Sequence, residues 1–457
     1  MNLENKKILI HTLTPLFIGS GEDFSPFTFW INSEKNELVE FAEDTFINAL
    51  SETEKNVLGQ LSLLDFMRLI YQKRSSLSGK VFPVSPQIAD TYNKVLDKKA
   101  DFNKFAIKKP TANVNSRLPY IPGSSLKGAL RTGYLAACQN LTCYHQYTDG
   151  AHGRGKEMLD EAAALGGKMS SDSFSTVKVG DCIPIGEVPT LVLYALRCHK
   201  YKDKSNIPTM LQAVLGGSVF SGELTLSHAD RIADSFKIKN IADILEKIDN
   251  YSLSLLEDKR IGIKYPTLYD LQCIKKEFTN PVYLCRLGGY IGAESHTIDK
   301  FRQININPRG RNKISSYSTY TVCATANKQG AANKQGAKRI SFGWCLIEVL
   351  DGPANKEVPA LRALVAEQNE LLQDKSYRKA PASATNLQSM AVVMPKESYD
   401  RNATYSAKVI EITKKGKARV QVIGKTKLFT LMEEGTFEVG QQIEIAHIQG
   451  ETCKLKK

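Results

Sequence analysis

Two hydroxyls and two cations stand close together in residues 120–134, YIPGSSLKGALRTGY. Pro122 fixes φ and Gly123 permits a conformation that a side chain would block, so the stretch opens with a turn. Ser124 or Ser125 could cap a helix that starts there. Lys127 and Arg131, four apart, share one face of that helix. Leu126, Ala129, Leu130 and Tyr134 recur on another, apolar face. The first turn of a helix has backbone N–H groups without partners and a partial positive charge. With hydroxyls and cations added, it suits an anion such as a phosphate. The same spacing also describes a plain capped amphipathic helix with solvated cations.

Other residues invite similar chemistry. Gly19, Ser20 and Gly21 read as a tight loop after a first strand, where backbone N–H groups can approach a ligand closely. Residues 287–297, LGGYIGAESHT, form a glycine-rich loop with Gly288, Gly289, Tyr290, Glu294 and His296. Arg302, Arg309, Arg311 and Lys313 follow, with Tyr317 and Tyr320 close by. An earlier basic stretch, 75–118, interleaves Lys98, Lys99, Lys104, Lys108, Lys109 and Arg117 with Tyr92, Phe102 and Phe105. Cations alternating with aromatics suit single-stranded nucleic acid; they also suit a solvated insertion with a few core aromatics. Cys138, Cys143, His145 and His152 match no standard zinc-finger spacing, and free thiols with surface histidines read equally well. No metal site and no cofactor is expected. His11, on the first strand, is either an acid–base group or a packed side chain.

The elements that must position these residues belong to a chain of 457 residues with a net charge of +13. The length suggests two or three domains, and the charge favours a polyanionic partner, nucleic acid first. No apolar run is long enough to span a membrane, and the first residues lack the pattern of a signal peptide. Nine scattered cysteines point to reduced thiols in a cytoplasm. Strands are predicted over 7–14, 175–179, 190–197, 219–226, 282–286 and 339–350, with a hairpin over 27–41. Gly222 marks a bulge or a close backbone approach. Helices are predicted over 45–50, 61–71, 241–248, parts of 255–278, and 357–373. The tandem ANKQGA at 326–337 reads as a tolerated surface insertion. The class is α+β, divided at 1–165 and 166–376, then a linker over 377–404 and five short strands over 405–457. Those five strands, punctuated by glycine, resemble an OB-fold or S1-like barrel. Lys414, Lys415, Lys417, Arg419, Lys425, Lys427 and Phe429 could give it a basic face and an aromatic platform for RNA. A barrel used for protein contact fits as well.

TLTPLFIGSGE, YIPGSSLKGALRTGY, FSGELTL, RLGGYIGAESHT and ISFGW together resemble the RAMP (repeat-associated mysterious protein) superfamily of CRISPR systems. Over residues 5–350, their order is most similar to that of the fifth subunit of type III-A Csm effector complexes. The resemblance implies a core of two ferredoxin-like (RRM-like) units. It also implies a non-catalytic subunit that caps the 3′ end of the guide RNA (crRNA). Implied partners are a neighbouring RAMP backbone subunit, the small subunit and recruited host nucleases that trim the guide. The RNA-binding positions it implies are Gly19, Ser20, Gly21, Gly123, Ser124, Ser125, Lys127, Arg131, Gly288 and Gly289. Two other readings stay open: a RAMP endoribonuclease processing precursor guide RNA, with His11 as its acid–base group, and a stand-alone RNA-binding protein.

Overall fold

In the computed structural model, the first strand is Leu3–Thr12, and its second half is buried. A strand hidden on both faces needs a sheet around it. It is flanked, antiparallel, by Val219–Ser227 on one side and Trp344–Val349 on the other. Val282–Arg286 extends the sheet beyond Trp344–Val349, while Val177–Val179 and Ile183–Ile185 pair with Val219–Ser227. The structure describes residues 3–97, 105–138, 144–148, 155–159, 172–201, 208–227, 232, 234–263, 265–299, 302, 304–306, 314–326, 339–354, 357–373, 399–400, 403–413, 416–423, 425, 427–433 and 435–456.

Two helices, Gly123–Ala136 and Ile241–Glu257, cover this first sheet. The first buries Leu126, Leu130 and Tyr134; the second buries Ile241, Ile244, Leu245 and Ile248. Both sets join Ile8, Ile10, Phe220 and Ile347 in one core. Gly222 sits where a Cβ would lie 2.4 Å from the Cys182 sulfur, the close approach expected from the sequence. Each well-buried aliphatic side chain here contributes about 1.5–3 kcal/mol.

A second sheet runs in the order Ile340–Ser341, Tyr320–Thr325, Thr190–His199, Thr209–Val214, Ile107–Pro110, Gly19–Asp23. Residues 19–21, expected as a loop, are thus the outer edge strand of this sheet, with every side chain exposed. Both sheets take strands from each side of the expected 165/166 division: Leu3–Thr12 pairs with Val219–Ser227, and Ile107–Pro110 with Thr209–Val214. The two halves are interleaved. Helix Pro359–Gln373 seals the second core with Leu361, Leu364 and Leu372.

A small sheet, Phe29–Asn32, Glu37–Glu40 and Lys80–Pro83, packs with helices Leu63–Lys73 and Pro86–Leu96. Tyr92 is fully buried and Phe105 nearly so, which favours the core-aromatic reading of this stretch over an RNA-stacking platform. They are core residues of an ordered helical unit; Lys98, Lys99, Phe102 and Lys104 lie outside the described residues. So do Arg309, Arg311, Lys313, Cys143, His152 and nearly all of the ANKQGA tandem. Among the described residues no three His, Cys, Asp or Glu side chains converge as a metal site. No described helix is long and apolar enough to cross a membrane.

Tyr405–Ile412, Ala418–Val422, Leu428–Leu431, Gln442–Gln449 and Thr452–Leu455 close into a five-stranded barrel, matching the five short strands expected over 405–457. Its core is its own: Val409, Val420, Leu431, Ile445 and Phe429. Phe429 is 1% exposed, so it is core and not the expected platform. The Tyr399 ring stands edge-on to it at 4.7 Å, and Lys425 lies 4.5 Å over Tyr399.

Candidate nucleic-acid interface

The helix Gly123–Ala136 begins two residues earlier than capping by Ser124 would require. Its N-cap is Pro122, which has no side chain to bond the first turn. Gly123 is therefore the first helical residue, and Asp181 takes its N–H at 2.7 Å. A Cβ on Gly123 would stand 2.2 Å from the Val179 carbonyl oxygen, so the glycine lets the helix start seat against the sheet edge. Ser124 and Ser125 fall inside the first turn. Neither hydroxyl bonds another described residue, and both line a cleft of about 350 Å³.

That cleft gathers segments from three distant parts of the chain. Gly19 comes from the edge strand, Ser124 and Ser125 from the helix, and Gly288 and Gly289 from the glycine-rich loop. Backbone contacts stitch the loop in place. Gly289 donates its N–H to the Phe17 carbonyl at 2.7 Å, Leu287 to Gly343 at 2.8 Å, and Gly343 to Pro15 at 2.9 Å. Gly288 has φ +87°, and a Cβ there would lie 2.4 Å from the Phe17 oxygen. Only glycine meets both demands. Tyr290 also holds a positive φ of 61° and braces its ring against Phe17 and Phe342. Ser20 and Gly21 belong to the same edge strand, but Ser20 lines a neighbouring hollow with Glu22, Lys109 and Arg117.

Lys127 and Arg131 do not line the cleft. Lys127 donates to the Val177 carbonyl at 2.7 Å, and half-burial lowers its pKa. Arg131 pairs with Asp172 at 2.9 Å. The residues that the helix turns to the cleft are small: Ser124, Ser125, Gly128, Ala129 and Thr132. Arg302 is also internal. It is 4% exposed, pairs with Asp299 at 2.9 Å and lies over the Tyr317 ring.

The cation that does line the cleft is Arg286, which the sequence reading passed over as the end of an apolar strand. It is 5% exposed. Nε donates to the Phe342 carbonyl at 3.1 Å and Nη1 to the Ser295 hydroxyl at 2.9 Å. The guanidinium lies 4.9 Å over the Trp344 ring. Burial pulls its pKa down to about 9, with Glu294 and Tyr251 acting the other way, so it stays charged at neutral pH. His296 stands at the cleft rim. Its outer edge is exposed, yet crowding by the wall and the charge of Arg286 lower its pKa. Glu294 lies beneath the loop, 2% exposed, accepting from Lys200 at 2.8 Å and from the Ser318 amide and hydroxyl. Burial acts to raise its pKa, but those bonds outweigh it and hold the carboxyl below its usual range. The cleft thus offers hydroxyls, a helix start and a buried positive charge, a chemistry for anions.

The family model for the RAMP superfamily matches residues 9–368. The chain is 27% identical over 238 residues to "CRISPR system Cms protein Csm5" of Methanocaldococcus jannaschii; that match covers 50% of this chain and 53% of the relative. The chain therefore spans about half the length of that curated relative. A chain in a cryo-EM structure of a Csm–crRNA–target RNA ternary complex from a type III-A CRISPR-Cas system superposes with a TM-score of 0.50 at 16% identity, covering 76% of this chain and 100% of that one. The crystal structure of T.onnurineus Csm5 gives a TM-score of 0.42 at 14% identity, covering 74% and 99%.

Proposed function

Because the chain belongs to the RAMP superfamily, we propose that it is a guide-RNA-binding subunit of a type III-A CRISPR effector complex. In this reading it is non-catalytic, caps the 3′ end of the guide and supports guide maturation in antiviral defence. It works in the cytoplasm, touching a backbone RAMP subunit and the small subunit, with host nucleases recruited for trimming. The two large sheets stand for the two ferredoxin-like units, and the closed barrel for an OB/S1-like module.

One observation carries this reading: Gly19, Ser124, Ser125, Gly288 and Gly289, far apart in sequence, meet on a single anion-suited cleft. Their meeting supports a shared task, and the charge of +13 supports a polyanion as its object. The burial of His11, only 5% exposed, weighs against the endoribonuclease alternative, since a general acid or base must reach its substrate. The test is a tagged pull-down from the native host, with sequencing of bound RNA and mass spectrometry of bound proteins. Short guides cross-linked near their 3′ ends, recovered with other effector subunits, are expected. Long precursor RNA without partners would overturn the reading.

A further inference from the structure

Arg286 poses a problem of charge. Removing a guanidinium from water costs several kcal/mol unless an anion compensates it. Neither acidic group that acts on it is free to pair: one is a carboxylate already engaged, the other a neutral phenol. Glu294 is committed to Lys200 and Ser318, and Tyr251 donates its hydroxyl to the Glu294 and Thr297 carbonyls. Among the described residues no carboxylate forms an ion pair with Arg286. Its two bonds there are to a carbonyl and a hydroxyl, which bring no negative charge. Nη2 has no partner among the described residues, and the side chain lines the cleft. Opposite stand the Ser124 and Ser125 hydroxyls in the first turn of a fourteen-residue helix. Two independent features, the first-turn serines of a helix and a buried cation with no ion-pair partner among the described residues, therefore line one space.

We propose that the floor of this cleft seats a single phosphate group of the bound RNA, with Arg286 as its buried cation and Ser124 and Ser125 as its donors. The proposal rests on the RNA-binding reading above. It is narrower, because it assigns one phosphate to one set of residues and assigns Lys127 and Arg131 no direct contact with it. A phosphate there neutralises the guanidinium and accepts hydrogen bonds from three side chains at once. It can be the terminal phosphate of an RNA end or an internal phosphodiester; both offer the same oxygens.

Gly128 supplies the test. It lines the cleft one turn beyond Ser124, and a Cβ placed on it meets nothing within 4 Å. Gly128→Asp and Gly128→Asn have nearly the same shape and differ in charge. Full-length protein, with whatever subunits co-purify, is titrated with guide-length RNA ending in a 3′-hydroxyl and with the same RNA ending in a 3′-phosphate. Asp is expected to bind about tenfold more weakly than Asn, through repulsion of the seated phosphate. A gap confined to the 3′-phosphorylated RNA assigns the seat to a terminal phosphate, and an equal gap on both RNAs to an internal one. Equal affinities of Asp and Asn on both RNAs overturn the seat while leaving the wider reading intact. Failure of the unmodified protein to hold either RNA overturns both. Ser124→Ala with Ser125→Ala is a second probe that leaves Arg286 packed, and it is expected to weaken binding severalfold.

Discussion

Nε2 of His11 lies 2.8 Å from Oε2 of Glu348, on neighbouring strands, with the histidine 5% exposed and the glutamate fully buried. Asn280 holds the other carboxylate oxygen at 2.7 Å, and Phe278 closes over the imidazole edge-on. The pair ties Leu3–Thr12 to Trp344–Val349 from within. His11→Ala removes one hydrogen-bond partner of a buried carboxylate, a change that costs about 1–3 kcal/mol. Urea denaturation is expected to show that loss. Guide-RNA length in the folded fraction is expected to stay the same, whereas longer precursors accumulating at full protein stability would return His11 to a catalytic role.

Gly288→Ala combines a left-handed backbone with a Cβ 2.4 Å from the Phe17 oxygen. Strain of this kind costs about 1–3 kcal/mol, and it falls on the loop that walls the cleft. A lower melting temperature together with weaker RNA binding is expected. Gly289→Ala, whose Cβ nears only Phe17 at 3.6 Å and beyond, is the milder control.

Lys127→Ala with Arg131→Ala is expected to leave the salt dependence of RNA binding unchanged within one ion equivalent, because neither cation lines the cleft. Their partners are Val177 and Asp172. A slope reduced by two would show that both cations meet phosphates directly.

Acid should loosen the glycine-rich loop before the sheets. Glu294 has a folded-state pKa held below its ordinary 4.5. Its contribution to stability is present above that ordinary value and lost as pH falls through the lower, folded one. Hydrogen exchange of residues 287–297 is expected to accelerate below about pH 4.5. Glu294→Gln is expected to show fast exchange already at neutral pH, because the Lys200 ammonium loses its carboxylate partner.

Ending the chain after residue 398 removes a barrel that has its own core and is expected to leave the melting midpoint of the body in place. Ending it after residue 358 also strips Leu361, Leu364 and Leu372 from the second core, and Gln368 from its bond to the Leu13 carbonyl. That second truncation is expected to be poorly soluble. Equal solubility of the two would show that helix Pro359–Gln373 is dispensable.

Local chemistry was legible wherever the partners were local. The barrel strands announce themselves through alternation and glycine, and Gly222 and Gly288 mark close approaches that glycine alone permits. Residues whose surroundings depend on distant partners were less legible. Lys127 and Arg131 look solvated until Val177 and Asp172, some 50 and 41 positions on, come alongside. Arg286 looks like a strand end meeting water. Its burial comes from Phe342 and Trp344, which no nearby residue foretells. Tyr92 and Phe105 look like exposed rings among lysines, yet their cluster closes only when Val192, Tyr194 and Met210 arrive from the second sheet. The strand Thr209–Val214 went unseen because TMLQAV lacks clean alternation, although Pro208 and Gly216-Gly217 bracket it.

The placement of Leu3–Thr12 between Val219–Ser227 and Trp344–Val349 has a consequence for biosynthesis. A ribosome adds about 5–20 residues per second, so the first strand waits on the order of ten seconds or more for its first neighbour and longer for its second. Through that interval the strand that carries Ile8 and Ile10 lacks both flanking strands, which makes the nascent chain a natural client for chaperones. Gly343, which props the glycine-rich loop, is also translated late. A half-made chain therefore has no finished cleft, and RNA in the vicinity of the ribosome meets a gripping surface only when the body is nearly complete.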